Sequence, residues 1–241
     1  MRCLAGIRRR IADRARSHVD SLELQIMILR FEPKMPSGGT VLCLGAHCDD
    51  IEIGCGGALI ELNRRYPGMR FIWVVLAGDA VREQETRAAA AALLHGANVA
   101  VEVHRFRESF FPHIGAEIKE AFESLRSRVA PDLILTHHLG DRHQDHRAVA
   151  ELTWNSFRSH AILEYEIPKY EGDLGHPQVY CPLPAASVDL KIETLLRCFP
   201  SQRTRQWFDM ELFRGHLRLR GIECNSPSRY AEAFHARKLL I

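Results

Sequence analysis

From residue 41 onward, short apolar, β-branched runs alternate with longer helix-like stretches, and this alternation limits the possible folds more than any other feature. Strand-like runs fall at 41–45, 71–76, 99–103 and 133–136. Between and after them, 57–66, 81–94, 114–129 and 146–158 read as helices, the second carrying the alanine run Ala88 to Ala92. Strands that each return through a helix pair in parallel, and the helices then cover both faces of the sheet. The expected architecture is therefore a Rossmann-like α/β three-layer sandwich with a mostly parallel sheet. In such sheets, ligands bind outside the carboxyl ends of the strands.

The remainder is less regular. Pro168, Pro177, Pro182 and Pro184 punctuate an edge region, and 188–199 and 202–220 read as helices. A chain of 241 residues can bury one large core, and no linker composition marks a second domain. The reading is a basic N-terminal extension or helix over 1–36 and a single domain over 37–241. Arg2, Arg8, Arg9, Arg10, Arg14 and Arg16 make the start basic. Asp13, Asp20 and the lack of an apolar core there argue against a presequence.

Basic and acidic side chains nearly balance, 32 against 30, which disfavours a dedicated nucleic-acid or membrane-surface binder. No apolar run approaches the roughly 20 residues needed to span a bilayer. The seven cysteines form neither a CxxC pair nor a regular framework, so reduced thiols in a cytoplasmic setting are expected.

Two polar clusters follow strand-like runs: Ala46-His47-Cys48-Asp49-Asp50 after 41–45, and Asp141-Arg142-His143-Gln144-Asp145-His146 after 133–136. Parallel strands deliver both to one rim. Two imidazoles and a carboxylate, with a coordination position left for water, form the ligand set of a catalytic divalent-metal site. His47, Asp50 and His146 are the expected ligands. Asp49 then stands beside the water as general base. His143 is placed to meet an oxyanion or a leaving amine, with Asp145 fixing its tautomer and holding it cationic. A single His-Asp pair after a strand is usually a turn with a cap, and Asp141 or Asp145 would serve as a helix cap. Two such clusters at separate strand ends, and two adjacent aspartates with no neighbouring base, are harder to explain without a cation. Gly54-Cys55-Gly56-Gly57 lacks GxGxxG spacing and any GK[ST], so it reads as backbone clearance rather than a phosphate cradle. His137 and His138 read equally as outer shell of the site or as packing.

At these residues the chain resembles the LmbE-like, or PIG-L, family of metal-dependent de-N-acetylases, with its AHPDDE-type and HxDH motifs. The likeness runs over about 40–241. It includes Arg82-x-x-Glu85, Ser201-Gln202 and Tyr230-Ala231-Glu232-Ala233-Phe234. The resemblance implies the same assignments: metal on His47, Asp50 and His146, base on Asp49, and catalytic histidine with its carboxylate on His143 and Asp145. It implies zinc, with Fe2+ or another divalent ion as the alternative, and N-acetylglucosaminyl substrates. Cys48 stands where the family usually has proline, and Ile51 where glutamate is common. A thiol at 48 invites oxidation or other metals if it faces the ligands.

For specificity, Arg82 is read as binding a sugar hydroxyl or phosphate, or else as a surface partner of Glu83 or Glu85. Tyr230 is read as reaching the oxyanion, and 165–170 as a pocket wall or an edge strand. Trp73, Trp154 and Trp207 read as core before sugar platform. The expected function is zinc-dependent removal of acetyl from a small-molecule N-acetylated amino sugar, without nucleic-acid or membrane-spanning partners and with a homo-oligomer left open. The rivals are an amidase on a non-sugar metabolite, a non-catalytic metal-binding module and a nucleotide binder.

Overall fold

The sheet is built from alternating side chains: Val41 and Cys43 point into one core cluster, Leu42 and Leu44 into the other. A strand apolar on both faces must be covered on both, and this one is. The computed structural model describes residues 35–238, so nearly all of the basic extension read over 1–36 lies outside the described residues. In chain order come β1 (Thr40–His47), α1 (Asp50–Arg65), β2 (Arg70–Ala77), α2 (Ala80–Leu93), β3 (Asn98–Val103), α3 (Gly115–Arg128) and β4 (Leu133–His137). Then follow α4 (Gln144–Ser156), β5 (Ala161–Tyr165), β6 (Val179–Pro182), α5 (Ala185–Cys198), α6 (Met210–Glu223) and β7 (Ala231–Ala236).

The seven strands lie in the order β3-β2-β1-β4-β5-β7-β6. The pairings from β3 through β5 are parallel, while β7 runs antiparallel to both β5 and β6. Buried residues of α1, α2, α5 and α6 share one core cluster with Trp73, Tyr165 and Phe234. Those of α3 and α4 share the other with Ile72, Ile134 and Ile162. This is the expected Rossmann-like sandwich. The prolines punctuating the less regular region fit the sheet margin, with Pro182 on β6 at the outer edge, where a missing N–H is tolerated.

β1 pairs with both β2 and β4. Strand order reverses at this pair, so a crevice opens at the carboxyl ends of β1 and β4. Both polar clusters fall there.

One local expectation is corrected. The helix read over 57–66 starts earlier: α1 begins at Asp50, and Gly54–Gly57 lie inside it, buried. Their use is close approach. A Cβ at Gly54 would lie 2.1 Å from the Tyr165 ring, and one at Gly57 2.4 Å from Leu183. Tyr165 is itself fully buried, its hydroxyl donating to the Leu44 carbonyl at 2.6 Å.

Candidate metal centre and active site

His47 ends β1, and Asp50 opens α1. The short link between them forces Asp49 to φ 111°, a left-handed conformation that a non-glycine residue adopts at a cost of order 1–3 kcal/mol. Asp50 folds back to accept the His47 backbone N–H on Oδ2 at 2.7 Å. His146, in the first turn of α4, arrives from the far side of the crevice.

The three donor groups converge. His47 Nδ1 lies 3.3 Å from His146 Nε2 and 3.5 Å from Asp50 Oδ2, and His146 Nε2 lies 3.5 Å from Asp50 Oδ1. Metal bonds of 2.0–2.1 Å in a tetrahedron separate ligand atoms by about 3.3–3.4 Å, so the spacing of the His47 and His146 nitrogens suits a zinc-sized ion, while Asp50 faces the two rings with different oxygens. His143 joins the cluster: it, His47 and His146 each offer a ring nitrogen within 4.8 Å of the others. Asp50, His137 and His146 form an overlapping group.

Each imidazole is aimed by a carboxylate on its other nitrogen. His146 Nδ1 donates to Asp141 Oδ2 at 2.9 Å, leaving Nε2 as the lone pair. His47 Nε2 meets Asp145 Oδ2 at 3.1 Å, leaving Nδ1 toward the cluster. Burial lowers the His146 pKa to about 3, with the neighbouring His137 adding to it, so this ring is neutral. Burial also works against the charge on His47. The bonds to Asp145 and Asp50 outweigh it and raise that ring to about 10. An ion entering the site therefore displaces a proton from His47. Asp50 is held ionised against its burial by His146, His137 and His47.

Asp49 is buried beside this cluster, and burial pushes its pKa up to about 7, with Arg82 opposing and Asp50 adding to the rise. A carboxyl poised there suits proton transfer near neutral pH.

Two expectations about the second cluster change. Asp145 does not orient His143: its carboxylate is taken by His47, by Ser109 N–H at 2.6 Å and by Phe111 N–H at 3.2 Å. The reason is helical geometry. Asp145 lies two residues beyond His143, which is the N-cap of α4, and its side chain faces the loop after β3 instead. His143 Nδ1 accepts the Asp145 backbone N–H at 3.3 Å, so the ring proton sits on Nε2. Burial and the nearby His47 lower the His143 pKa, and the ring is a neutral donor rather than a cation.

The substrate residues also move. Arg82 lines the cleft, but its guanidinium is engaged: Nη2 lies 3.2 Å from Asp49 Oδ1 and also donates to the Cys48 carbonyl, while Nε faces Glu85 at 3.6 Å. It clamps the Asp49 loop. Tyr230 is not among the cleft-lining residues. It precedes β7, separated from β4 by β5, with Arg214 and Arg218 about its ring. The Cys48 thiol points to the Ala77 carbonyl at 3.7 Å, away from the ligands, and burial raises it to about 12. It stays protonated. None of the six cysteines among the described residues forms a disulfide.

The crevice opens into a cleft of about 210 Å³. Besides the cluster it is lined by Glu108, Ile167, Lys169, Tyr170, Glu171, Gln202, Arg205 and Trp207. The 165–170 pocket wall and the Ser201-Gln202 motif thus reach the site. Glu108, Glu171 and Arg205 carry no sequence pattern that singles them out, and Trp207, which packs against the core as its reading implied, also borders the cleft. His137 is fully buried, its ring stacked 3.9 Å from that of His146 and its Nε2 3.1 Å from Asp50. It belongs to the support of the site rather than to distant packing.

Fold and site together define a Rossmann-like α/β protein with a histidine–aspartate cluster that could hold a metal ion at the switch point of its sheet. Residues 42–157 match the family described as GlcNAc-PI de-N-acetylase, PIG-L. It is 29% identical over 140 residues to an uncharacterised deacetylase, YaiS, of Escherichia coli K12, spanning 53% of this chain and 74% of that protein. It superimposes on the N,N′-diacetylchitobiose deacetylase of Pyrococcus horikoshii at 18% identity, with a TM-score of 0.66 and 92% of each chain covered. It also matches GalB, a 4-carboxy-2-hydroxymuconate hydratase of Pseudomonas putida KT2440, at 17% identity and a TM-score of 0.62, covering 84% of this chain and 98% of that one. At such identities the structural likenesses show the fold, and the fold alone does not select the reaction.

Proposed function

We propose that this chain is a zinc-dependent amide hydrolase that removes the acetyl group from an N-acetylated amino sugar. The observation that carries the reading is His47 Nδ1 lying 3.3 Å from His146 Nε2, with the Asp50 carboxylate 3.5 Å from each ring, beside Asp49, whose carboxyl burial pushes above its usual range. A non-catalytic metal module needs no such aspartate. His47, Asp50 and His146 would hold the ion, and Fe2+ suits the same donors. When bound, such an ion acts as a Lewis acid on the amide carbonyl and lowers the pKa of water beside it toward roughly 7.

The chain's own groups then divide the work. Asp49 takes the proton of the attacking water as its oxygen bonds to the carbonyl carbon. His143, neutral and protonated on Nε2, donates to the oxygen that gains negative charge. Asp49 returns its proton to the amide nitrogen as the C–N bond breaks, releasing acetate and the free amine. Arg82 holds Asp49 in position throughout.

Among the described residues no helix is long and apolar enough to cross a membrane. Among the described residues the six thiols are unpaired and three are buried, which fits the reducing cytoplasm proposed for the protein. The test is free-amine release from N-acetylglucosamine and its conjugates by metal-stripped protein with and without added zinc. Zinc-dependent release supports the reading. Release only from non-sugar acetamides would move the assignment to an amidase of another metabolite class.

A further inference from the structure

Lys169 lines the cleft, but its ammonium is engaged by the protein itself. Nζ lies 2.9 Å from Asp141 Oδ2 and 2.8 Å from each oxygen of Asp173, and it donates to the Ile167 carbonyl at 3.3 Å. The side chain is only 9% exposed. An ammonium has three N–H bonds, and two carboxylates and a carbonyl use all three. The cation therefore has no bond left to offer a ligand in the cleft.

The oxygen it meets on Asp141 has a second claimant. Asp141 Oδ2 also accepts the Nδ1 proton of His146 at 2.9 Å, while Oδ1 accepts the His143 backbone N–H at 2.7 Å. That backbone bond already fixes the carboxylate in the turn before α4, so the lysine is not needed to place it. What Lys169 adds is charge. A carboxylate behind a metal-binding imidazole draws on the Nδ1 proton and makes the opposite nitrogen more basic. An ammonium on the same oxygen competes for that electron density and weakens the pull. It also compensates two buried carboxylates, Asp141 and Asp173, that would otherwise repel each other.

Lys169 comes from a different part of the chain than the ring it influences. It follows β5, whereas Asp141 lies between β4 and α4. Asp173 closes the arrangement by accepting the Arg142 N–H at 2.6 Å. The turn that leads to His146 and the segment after β5 are thus joined at two points, and a line of alternating charge, Asp173, Lys169, Asp141, runs to the His146 ring.

We propose that Lys169 is a positioning residue of the metal centre, acting through Asp141 to limit the basicity of His146 Nε2 and so to keep a bound ion electron-poor, a role that rests on the metal site proposed above but not on the choice of substrate. An electron-poor ion is the stronger Lewis acid.

The experiment is a zinc competition titration near neutral pH with a chromogenic chelator. It compares the full chain with three variants, each shown by unfolding in chelator to be folded. Lys169→Gln keeps a donor to Asp141 and drops the charge, and it should bind zinc about tenfold more tightly, since loss of a nearby positive charge favours a cation. Damage to the site would instead weaken binding. Lys169→Arg keeps the charge and should stay within about threefold of the unsubstituted protein. Asp173→Asn still offers the Arg142 N–H an acceptor but leaves the ammonium less compensated, so zinc should bind about threefold more weakly. This variant removes no cation and reads the same coupling if Lys169→Gln fails to fold. Unchanged or weaker binding by Lys169→Gln, tightening by Lys169→Arg as large as that by Lys169→Gln, or unchanged or tighter binding by Asp173→Asn would each overturn the role. If the unsubstituted protein binds zinc and the variants depart from this pattern, only the part given to Lys169 is removed. If the unsubstituted protein binds no zinc, the metal site goes with it.

Discussion

Asp145→Asn separates two roles that the same residue was open to. In the structure Asp145 Oδ2 serves His47 Nε2 at 3.1 Å and Ser109 N–H at 2.6 Å, while Oδ1 serves Phe111 N–H at 3.2 Å. All three partners are donors. An asparagine has one carbonyl oxygen and one NH2, so whichever way it turns, a donor faces a donor. With the oxygen toward His47, the Phe111 N–H is orphaned; with the amide toward His47, the ring loses the acceptor that aims Nδ1 at the ion. A carboxylate behind a metal-binding imidazole is worth about 10–100-fold in affinity, or roughly 1.4–2.7 kcal/mol. The orphaned backbone donor adds about 1–3 kcal/mol of lost fold stability. A zinc competition titration with a chromogenic chelator reads the first, and denaturant unfolding in chelator reads the second. The expected outcome is at least tenfold weaker zinc binding and a lower unfolding midpoint. Wild-type zinc affinity with a reduced kcat would refute this reasoning and restore Asp145 to service of His143.

Asp49→Asn should retain about one equivalent of zinc by metal analysis yet lose a hundredfold or more in turnover, the usual scale of general acid–base help; near wild-type turnover would end its assignment as base. Zinc loading should release a proton from His47, whose folded pKa of about 10 lies above the model-peptide value of about 6.5. Zinc affinity measured across buffers should therefore rise with pH in that interval. The stability that the His47 proton lends the metal-free protein is full below about pH 6.5 and should fade as pH climbs through about 10. Gly54→Ala should destabilise by about 1–3 kcal/mol or more in urea unfolding, because the new Cβ meets the buried Tyr165 ring at 2.1 Å. Tyr230→Phe should change kcat by less than about twofold, since a lost hydroxyl outside the cleft removes no transition-state contact.

The parallel half of the fold was legible because its strands are continuous apolar runs and its helices carry length and alanine or amphipathic patterning. β5, β6 and β7 were not assigned as strands; β5, the last parallel strand, is only five residues long with Glu164 inside it. β6 spans only four residues at the sheet edge, and Ala231–Ala236 interleaves alanine with Glu232 and His235, which suppresses the apolar signal. Glu232 is buried there because it caps backbone N–H groups of Gly57 and Ala58 and pairs with Lys191, a partnership between residues far apart in sequence.

Sequence by itself determined which residue types would meet: two motifs behind two strands, bringing His47, Asp49, Asp50, His143 and His146 to one rim. Strand direction and the switch in strand order suffice for that, since both follow from local pattern and connectivity. Tertiary structure decided who serves whom. Side-chain directions at the start of α4 gave Asp145 to His47 and Asp141 to His146, and left His143 to a backbone N–H. It also brought Glu108, Tyr170, Glu171, Arg205 and Trp207 from three separate segments around one cleft. Hydrogen bonds depend on angles and on distances of a few tenths of an ångström, and those are set by packing between elements rather than by spacing along the chain.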